Sequence, residues 1–261
     1  MSNLTIFVGW DSNEAIAADV LMYTIDKYKS RPVDFFLLKQ QELRDKGLYT
    51  RELDKKASNE FSMTRWLTPY LNRQLFPNNR YALFLDCDFV FTGDIYRIFD
   101  YKEDASINVV KHEYVPKSTT KMKDSSGKVQ AQKNYPRKNW SSFVLYDCEN
   151  PIVHKLTLEV VNSESPMVLH RFMLFDDKDV GGFNYWTKVD GQKIPLLNHL
   201  AGEYKQPTEL PLSIHLTLGI PTIHTAVESA YSKEWLDYYH EMKLHERIQK
   251  LENSIKTMWP L

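Results

Sequence analysis

Two carboxylates at the end of an apolar run are the part of this 261-residue chain best placed to do chemistry. Tyr81-Ala82-Leu83-Phe84-Leu85 leads directly into Asp86-Cys87-Asp88-Phe89. If the strand continues through them, its period of two sets Asp86 and Asp88 on one side and Cys87 on the other. Like charges that close repel unless a cation or a proton separates them. The carboxyl end of a strand is also where open α/β sheets bind ligands. Hard cations such as Mn²⁺ or Mg²⁺ accept carboxylate oxygen and bridge to diphosphate oxygens. An Asp-x-Asp triplet alone is a weak signal, but after an apolar strand a metal site is favoured over a solvated turn.

Two enzyme classes use this arrangement. In a nucleotide-sugar transferase the pair holds a divalent ion on the donor diphosphate. In a phosphohydrolase resembling the haloacid dehalogenase group, the first Asp is nucleophile and the second is acid or base. Asp86-Cys87-Asp88-Phe89-Val90 fits the latter superficially, and Asp176-Asp177 would supply its late acidic pair. Against it, two strand signals precede the motif, which that group places on its first strand. The stretch 111–138 is rich in Lys and Arg and faces only Glu113 and Asp124. A solvated surface is the default for such a run, and guidance of a polyanionic acceptor, nucleic acid included, is the alternative. His215 taken alone reads as a core histidine on a strand from Leu212 to Leu218. His240-Glu241 and His245 miss metalloprotease spacing by one residue, which turns the second imidazole off the face of the first.

Other chemistries are excluded by what is missing. The nine glycines include no G-x-G-x-x-G trio, no phosphate loop and no G-x-S-x-G elbow. Hydrophobic residues make up 43% and charged residues 26%, an ordinary globular balance that excludes a disordered chain. The formal net charge of -1 provides no global field for nucleic acid or anionic lipid. No apolar run approaches the roughly 20 residues of a membrane span, and the first residues do not read as a signal peptide. Cys87 and Cys148 are too few for a disulfide scaffold, so a cytoplasmic protein is expected.

The elements that must position the carboxylates alternate between strand and helix. Leu4 to Val8 reads as a strand ending at Gly9, and Ser12 to Lys29 as a helix capped by Ser12 or Asn13. Val33 to Leu38, Tyr81 to Leu85, Ser106 to Val110 and Ser142 to Tyr146 read as further strands. Residues 61–75 carry one apolar helical stripe, which Pro69 is expected to kink. Segment 111–138 reads as a long excursion containing a hairpin. From residue 226 onward a charged amphipathic helix is expected, with Trp235, Tyr239, Met242, Ile248, Leu251 and Ile255 near helical spacing, a packed helix rather than a membrane anchor. This alternation argues an α/β sheet with helices on its faces, in one continuous domain.

Seven blocks, in order, resemble a bacterial and viral group of family-8-type glycosyltransferases. They are Thr5 to Ala15, Phe61 to Leu67, Leu83 to Asp88, Val110 to Lys117, Tyr135 to Ser142, Asn198 to Tyr204 and His215 to Gly219. The resemblance implies a GT-A fold, a single domain with a central mixed sheet flanked by helices. Residues 1–110 would be the nucleotide-sugar-binding half, 111–225 the acceptor half and 226–261 a C-terminal helix. It also implies a UDP-sugar donor, Mn²⁺ (or Mg²⁺) held by Asp86, Asp88 and His215, and retention of anomeric configuration. Val8, Gly9, Trp10, Asp11, Arg65, Cys87 and Gly219 would join the two carboxylates around the donor. Arg65 would face the diphosphate, and Asp176 or Asp177 would stabilise oxocarbenium-like charge or orient the acceptor hydroxyl. A glycan or glycolipid precursor is the expected acceptor, met in the cytoplasm or at the periphery of the inner membrane. Three departures fall in or near the acceptor half. Gly181 to Pro195 is longer than its counterpart, Leu197 replaces a common Trp, and Ile220 replaces a usual Gly.

Overall fold

The computed structural model describes residues 4–52, 57, 59–111, 120–123, 129–131, 136–137, 140–183, 211–216, 219–222 and 231–258. Its centre is a six-stranded mixed sheet in the order β2-β1-β3-β8-β5-β9. The strands are β1 (Leu4–Gly9), β2 (Val33–Leu38), β3 (Tyr81–Leu85), β5 (Ile107–Val109), β8 (Phe143–Asp147) and β9 (Val180–Gly182). β8 runs against both its neighbours; the other pairings are parallel. β1 lies inside the sheet and every one of its residues is buried. That is why Leu4-Thr5-Ile6-Phe7-Val8 reads as a nearly unbroken apolar run rather than an alternating one.

Helix α1 (Ala15–Tyr28) buries Ala17, Ala18, Val20, Leu21, Thr24 and Ile25. Thr24 Oγ1 donates to the Leu21 carbonyl at 2.8 Å and accepts from the Phe91 amide at 3.0 Å. That bond fastens α1 to β4 (Phe89–Phe91), the short strand just beyond the two carboxylates. Neither Ser12 nor Asn13 caps α1. The cap position is Glu14, which makes no capping bond, and the Asp11 carboxylate takes the Asn13 amide instead.

After α2 (Gln40–Asp45), the apolar stripe over 61–75 does not kink at Pro69. It divides into a 3-10 turn, Thr64–Leu67, and α3 (Thr68–Leu75), with the proline in the first turn of α3. A residue lacking an N–H starts a helix without losing a bond, so Pro69 sets a boundary. Short helices α4 (Ile98–Tyr101), α5 (Leu158–Ser163) and α6 (Pro166–His170) had no strong periodic signal. The expected hairpin is present as β6 (Thr120–Lys123) paired antiparallel with β7 (Val129–Ala131).

A second sheet joins β4 to β10 (Ser213–His215), antiparallel, with His215 opposite Phe89. The last helix, α7, spans Ser232–Met258. Tyr28 meets Tyr238, Lys27 meets Glu241 and Tyr23 meets His245, so α7 lies against α1. Among the described residues, no helix is long and apolar enough to cross a membrane.

Candidate metal centre

Strand β3 stops at Leu85, and Asp86-Cys87-Asp88 forms the turn into β4. The turn, rather than a continued strand, sends the carboxylates one way and the thiol the other. The Asp86 amide donates to the Ser142 carbonyl at 2.9 Å, and the Asp88 carbonyl accepts from the Leu216 amide at 2.9 Å. β10 is thus stitched to both β4 and the turn. His215 Nε2 lies 3.0 Å from Asp88 Oδ1, and its ring stacks on Phe89 with centroids 4.0 Å apart. One candidate ligand atom from each of Asp86, Asp88 and His215 falls within 4.8 Å of the others. The structure therefore brings together residues that lie 129 positions apart in sequence (86 to 215).

Two carboxylates and one imidazole suit Mn²⁺ or Mg²⁺ as hard-to-intermediate ions, whereas thiolate would favour softer ones. Cys87 supplies none. It is buried, its Sγ lies 3.8 Å from a Glu14 carboxylate oxygen, and burial with the surrounding Asp88, Glu14 and Asp86 pushes its thiol well up. Any contact from Cys87 to a ligand runs through its backbone.

Arg65 supports the pair from the other side. Its guanidinium is buried near the Phe61 and Phe84 rings, 5.3 and 4.9 Å from their centroids. Nη1 lies 2.9 Å from Asp86 Oδ1, 2.7 Å from the Ser141 carbonyl and 3.3 Å from Ser141 Oγ. Ser141 Oγ in turn meets His170 Nδ1 at 3.0 Å, and His170 packs edge-on against Trp66. Burial, and then the Arg65 charge, lowers the His170 pKa from 6.5 to about 3, so this imidazole is neutral across the physiological range. Ser141 and His170 had no individual signal in the sequence. Ser141 lies within a recognisable block, while His170 is an ordinary residue on a short helix.

The early loop is shaped by Asp11. Its Oδ1 accepts from the Asn13 amide at 2.9 Å and from Asn13 Nδ2 at 3.0 Å, and its Oδ2 accepts from the Glu60 amide at 3.0 Å. Gly9 ends β1 above the Phe61 ring, so close that a Cβ would fall 2.5 Å from a ring carbon. Val8 is buried beside Leu85, and Trp10 is half-buried with Lys39 Nζ 5.4 Å from its ring centre. Gly219, at φ +113°, donates to the Leu216 carbonyl at 2.8 Å and turns the chain just after His215.

Asp176 and Asp177 stand on an exposed turn before β9, outside the group of candidate ligands. Asp177 is 93% exposed and pairs with Arg137, while the Asp176 amide bonds to Asp179. Of the basic excursion, Lys111 reaches Glu103 at 3.8 Å. Lys117, Lys128, Lys133 and Lys138 lie outside the described residues, as does the block Asn198 to Tyr204.

No protein-family profile matches the chain. Protein CDI of Arabidopsis thaliana is 38% identical over 249 residues, covering 95% of this chain and 89% of that protein. Solved structures that share the fold are glycosyltransferases of the GT-A type. GlyE of Streptococcus pneumoniae TIGR4 superposes with a TM-score of 0.55 at 15% identity, over 96% of this chain and 64% of GlyE. The bifunctional glycosyltransferase WbbM gives 0.51 at 14% identity, over 91% of this chain and 52% of WbbM. The galactosyltransferase LgtC, in complex with donor and acceptor sugar analogues, gives 0.50 at 10% identity, over 91% of this chain and 95% of LgtC. This chain therefore spans under two thirds of GlyE and about half of WbbM. At such identities the fold is what they share.

Proposed function

The chain belongs to the family of Protein CDI, and from that premise and its GT-A-type fold we propose that it is a metal-dependent glycosyltransferase using a UDP-sugar donor. The observation that carries the reading is the convergence of Asp86, Asp88 and His215 at the mouth of the sheet. These three side chains would hold Mn²⁺ or Mg²⁺. Bound there, such an ion would supply Lewis-acid stabilisation of the negative charge that develops on a diphosphate leaving group.

The chain's own residues do the rest. Arg65 fixes the Asp86 carboxylate and sets a permanent positive charge beside the metal ligands. His215 is immobilised between Phe89 and Asp88. Gly9 and the Asp11-braced loop form a rigid rim above Phe61. On this reading Val8, Gly9, Trp10 and Asp11 border the nucleotide, with the Asp11 contribution made through loop shape. On the same reading Gly219, which turns the chain just after His215, borders the donor from that side. Asp176 and Asp177 are proposed to act on the acceptor side, and their exposure favours orienting an acceptor hydroxyl over stabilising buried charge. The proposed acceptor is a glycan or glycolipid hydroxyl, with transfer under retention.

Calorimetric titration with UDP tests the reading. UDP should bind in the presence of Mn²⁺, bind negligibly after chelation, and bind negligibly to Asp88→Asn in Mn²⁺. UDP binding that ignores chelation would sink the metal assignment. Fast hydrolysis of generic phosphate monoesters with no UDP binding would favour the phosphohydrolase, whose nucleophile would be Asp86.

A further inference from the structure

Helix α7 extends over 27 residues, and its first turns are committed to the body. Trp235 and Met242 are buried. Tyr238 Oη lies 3.1 Å from Tyr28 Oη, a Glu241 oxygen 2.7 Å from Lys27 Nζ, and His245 Nδ1 2.8 Å from Tyr23 Oη. These positions form one helical stripe facing α1.

A different stripe begins where that one ends. Leu244, Ile248 and Leu251 are 57%, 42% and 63% exposed. Their spacing of four and three residues continues along the helix backbone through Ile255 and Met258. In heptad terms Ile248 and Ile255 occupy a positions, while Leu244, Leu251 and Met258 occupy d positions. At about 100° per residue this seam sits roughly a third of a turn from the stripe that faces α1, so a second helix can lie along it beside the body.

Both the residue types and the flanking charges specify that second helix. β-Branched Ile at a with Leu at d favours two parallel strands. Arg247 falls at g and Glu252 at the following e. In a parallel, in-register pair these positions face each other between chains, and a two-fold axis makes the contact twice. An antiparallel pair sets g against g and e against e, and loses both contacts. We propose that residues 244–258 form a parallel two-stranded coiled coil with a second copy of this chain, which is therefore a homodimer through its last helix. The seam is about two heptads long, but it continues a helix whose earlier turns are anchored to α1 through His245, so pairing does not bear the nucleation cost of an isolated peptide.

Sedimentation equilibrium of the full chain, over micromolar to several hundred micromolar concentrations, gives the test. The expected result is a monomer–dimer equilibrium that Leu251→Glu weakens by at least ~10-fold. Arg247→Glu should weaken it as well, and adding Glu252→Arg to that variant should restore it. Cys87 and Cys148 are both buried, so a new surface thiol reports cleanly. Ile248→Cys should form an interchain disulfide on mild oxidation, and Lys250→Cys should not. Circular dichroism and melting temperature confirm that each variant is folded. A chain that stays monomeric throughout, a dimer indifferent to Leu251→Glu, or equal cross-linking at 248 and 250 would overturn the proposal. So would Leu251-dependent binding to phospholipid vesicles without dimerisation.

Discussion

Asp88 and His215 are coupled by direct contact, so neither can be changed without disturbing the other. His215 Nε2 points at Asp88 Oδ1 from 3.0 Å, the nitrogen that would turn to an ion in the same space. Replacing His215 by Ala removes a proposed ligand and the ring stacked on Phe89, but leaves the β4–β10 backbone bonds in place. Mn²⁺ affinity should fall by more than ~100-fold, beyond the range usual for groups one step removed from a metal. Losing the stacked ring, worth about 1 kcal/mol, should lower the melting temperature by only a few degrees. Mn²⁺ titration and thermal melting of the same variant separate these effects, and a large fall in melting temperature with unchanged Mn²⁺ affinity would assign His215 to the core alone. Arg65 allows a sharper comparison. Arg65→Lys keeps the charge but not the planar group that reaches Ser141 and Asp86 from beside two aromatic rings. UDP affinity in saturating Mn²⁺ should drop about 10-fold, because lysine cannot keep a planar group beside the two rings while bringing its charge to the same oxygens. An unchanged affinity would mean that only the charge matters.

Among the elements, β1 and the turn that leads into the 3-10 segment Thr64–Leu67 fit closely at the rim. Gly9 lies against Phe61, and Phe61 lies beside Arg65. Gly9→Ala should therefore force the buried ring to shift and carry Arg65 with it. Overpacking of this kind costs about 1–3 kcal/mol, and urea titration alongside UDP calorimetry should show both stability and nucleotide affinity reduced. If stability falls alone, the ring moves without Arg65. The strands β1, β2 and β3 were legible because each is a short apolar run bounded by a turn. Pro69 misled because its local rule depends on where the helix starts: the same residue breaks an interior and opens a first turn. The pairing of Asp86 with Asp88 was legible from a strand rule, although a turn produces it. His170 and Ser141 were not legible as partners, because only the fold brings α6 beside the entry to β8. The link from His215 to Asp88 was not visible in spacing either; it came from a family resemblance, since a β10–β4 pairing leaves no local trace.

For the whole molecule, the neutral His170 at the end of the Arg65–Ser141 chain sets a limit on acid tolerance. Folding lowers its pKa from 6.5 to about 3, so between those values the unfolded chain takes up a proton that the folded chain excludes. Stability should therefore decline as pH falls below the ordinary histidine range, with this group contributing a limiting slope of about 1.4 kcal/mol per pH unit. His170→Gln retains a hydrogen-bonding side chain without the titration. Urea midpoints of the two proteins at successively lower pH should converge, and parallel curves would place the acid sensitivity elsewhere. The pairing of β10 with β4 has a consequence in the order of synthesis. All six strands of the main sheet lie before residue 183, so a ribosome delivers them, with both carboxylates, well before it reaches His215. A product that terminates between Gly182 and Leu212 thus carries the sheet sequence complete yet lacks the imidazole and the strand that delivers it. Competence of the proposed site to take up an ion would be acquired only once residues 212–216 have been made, well after the strands of the main sheet.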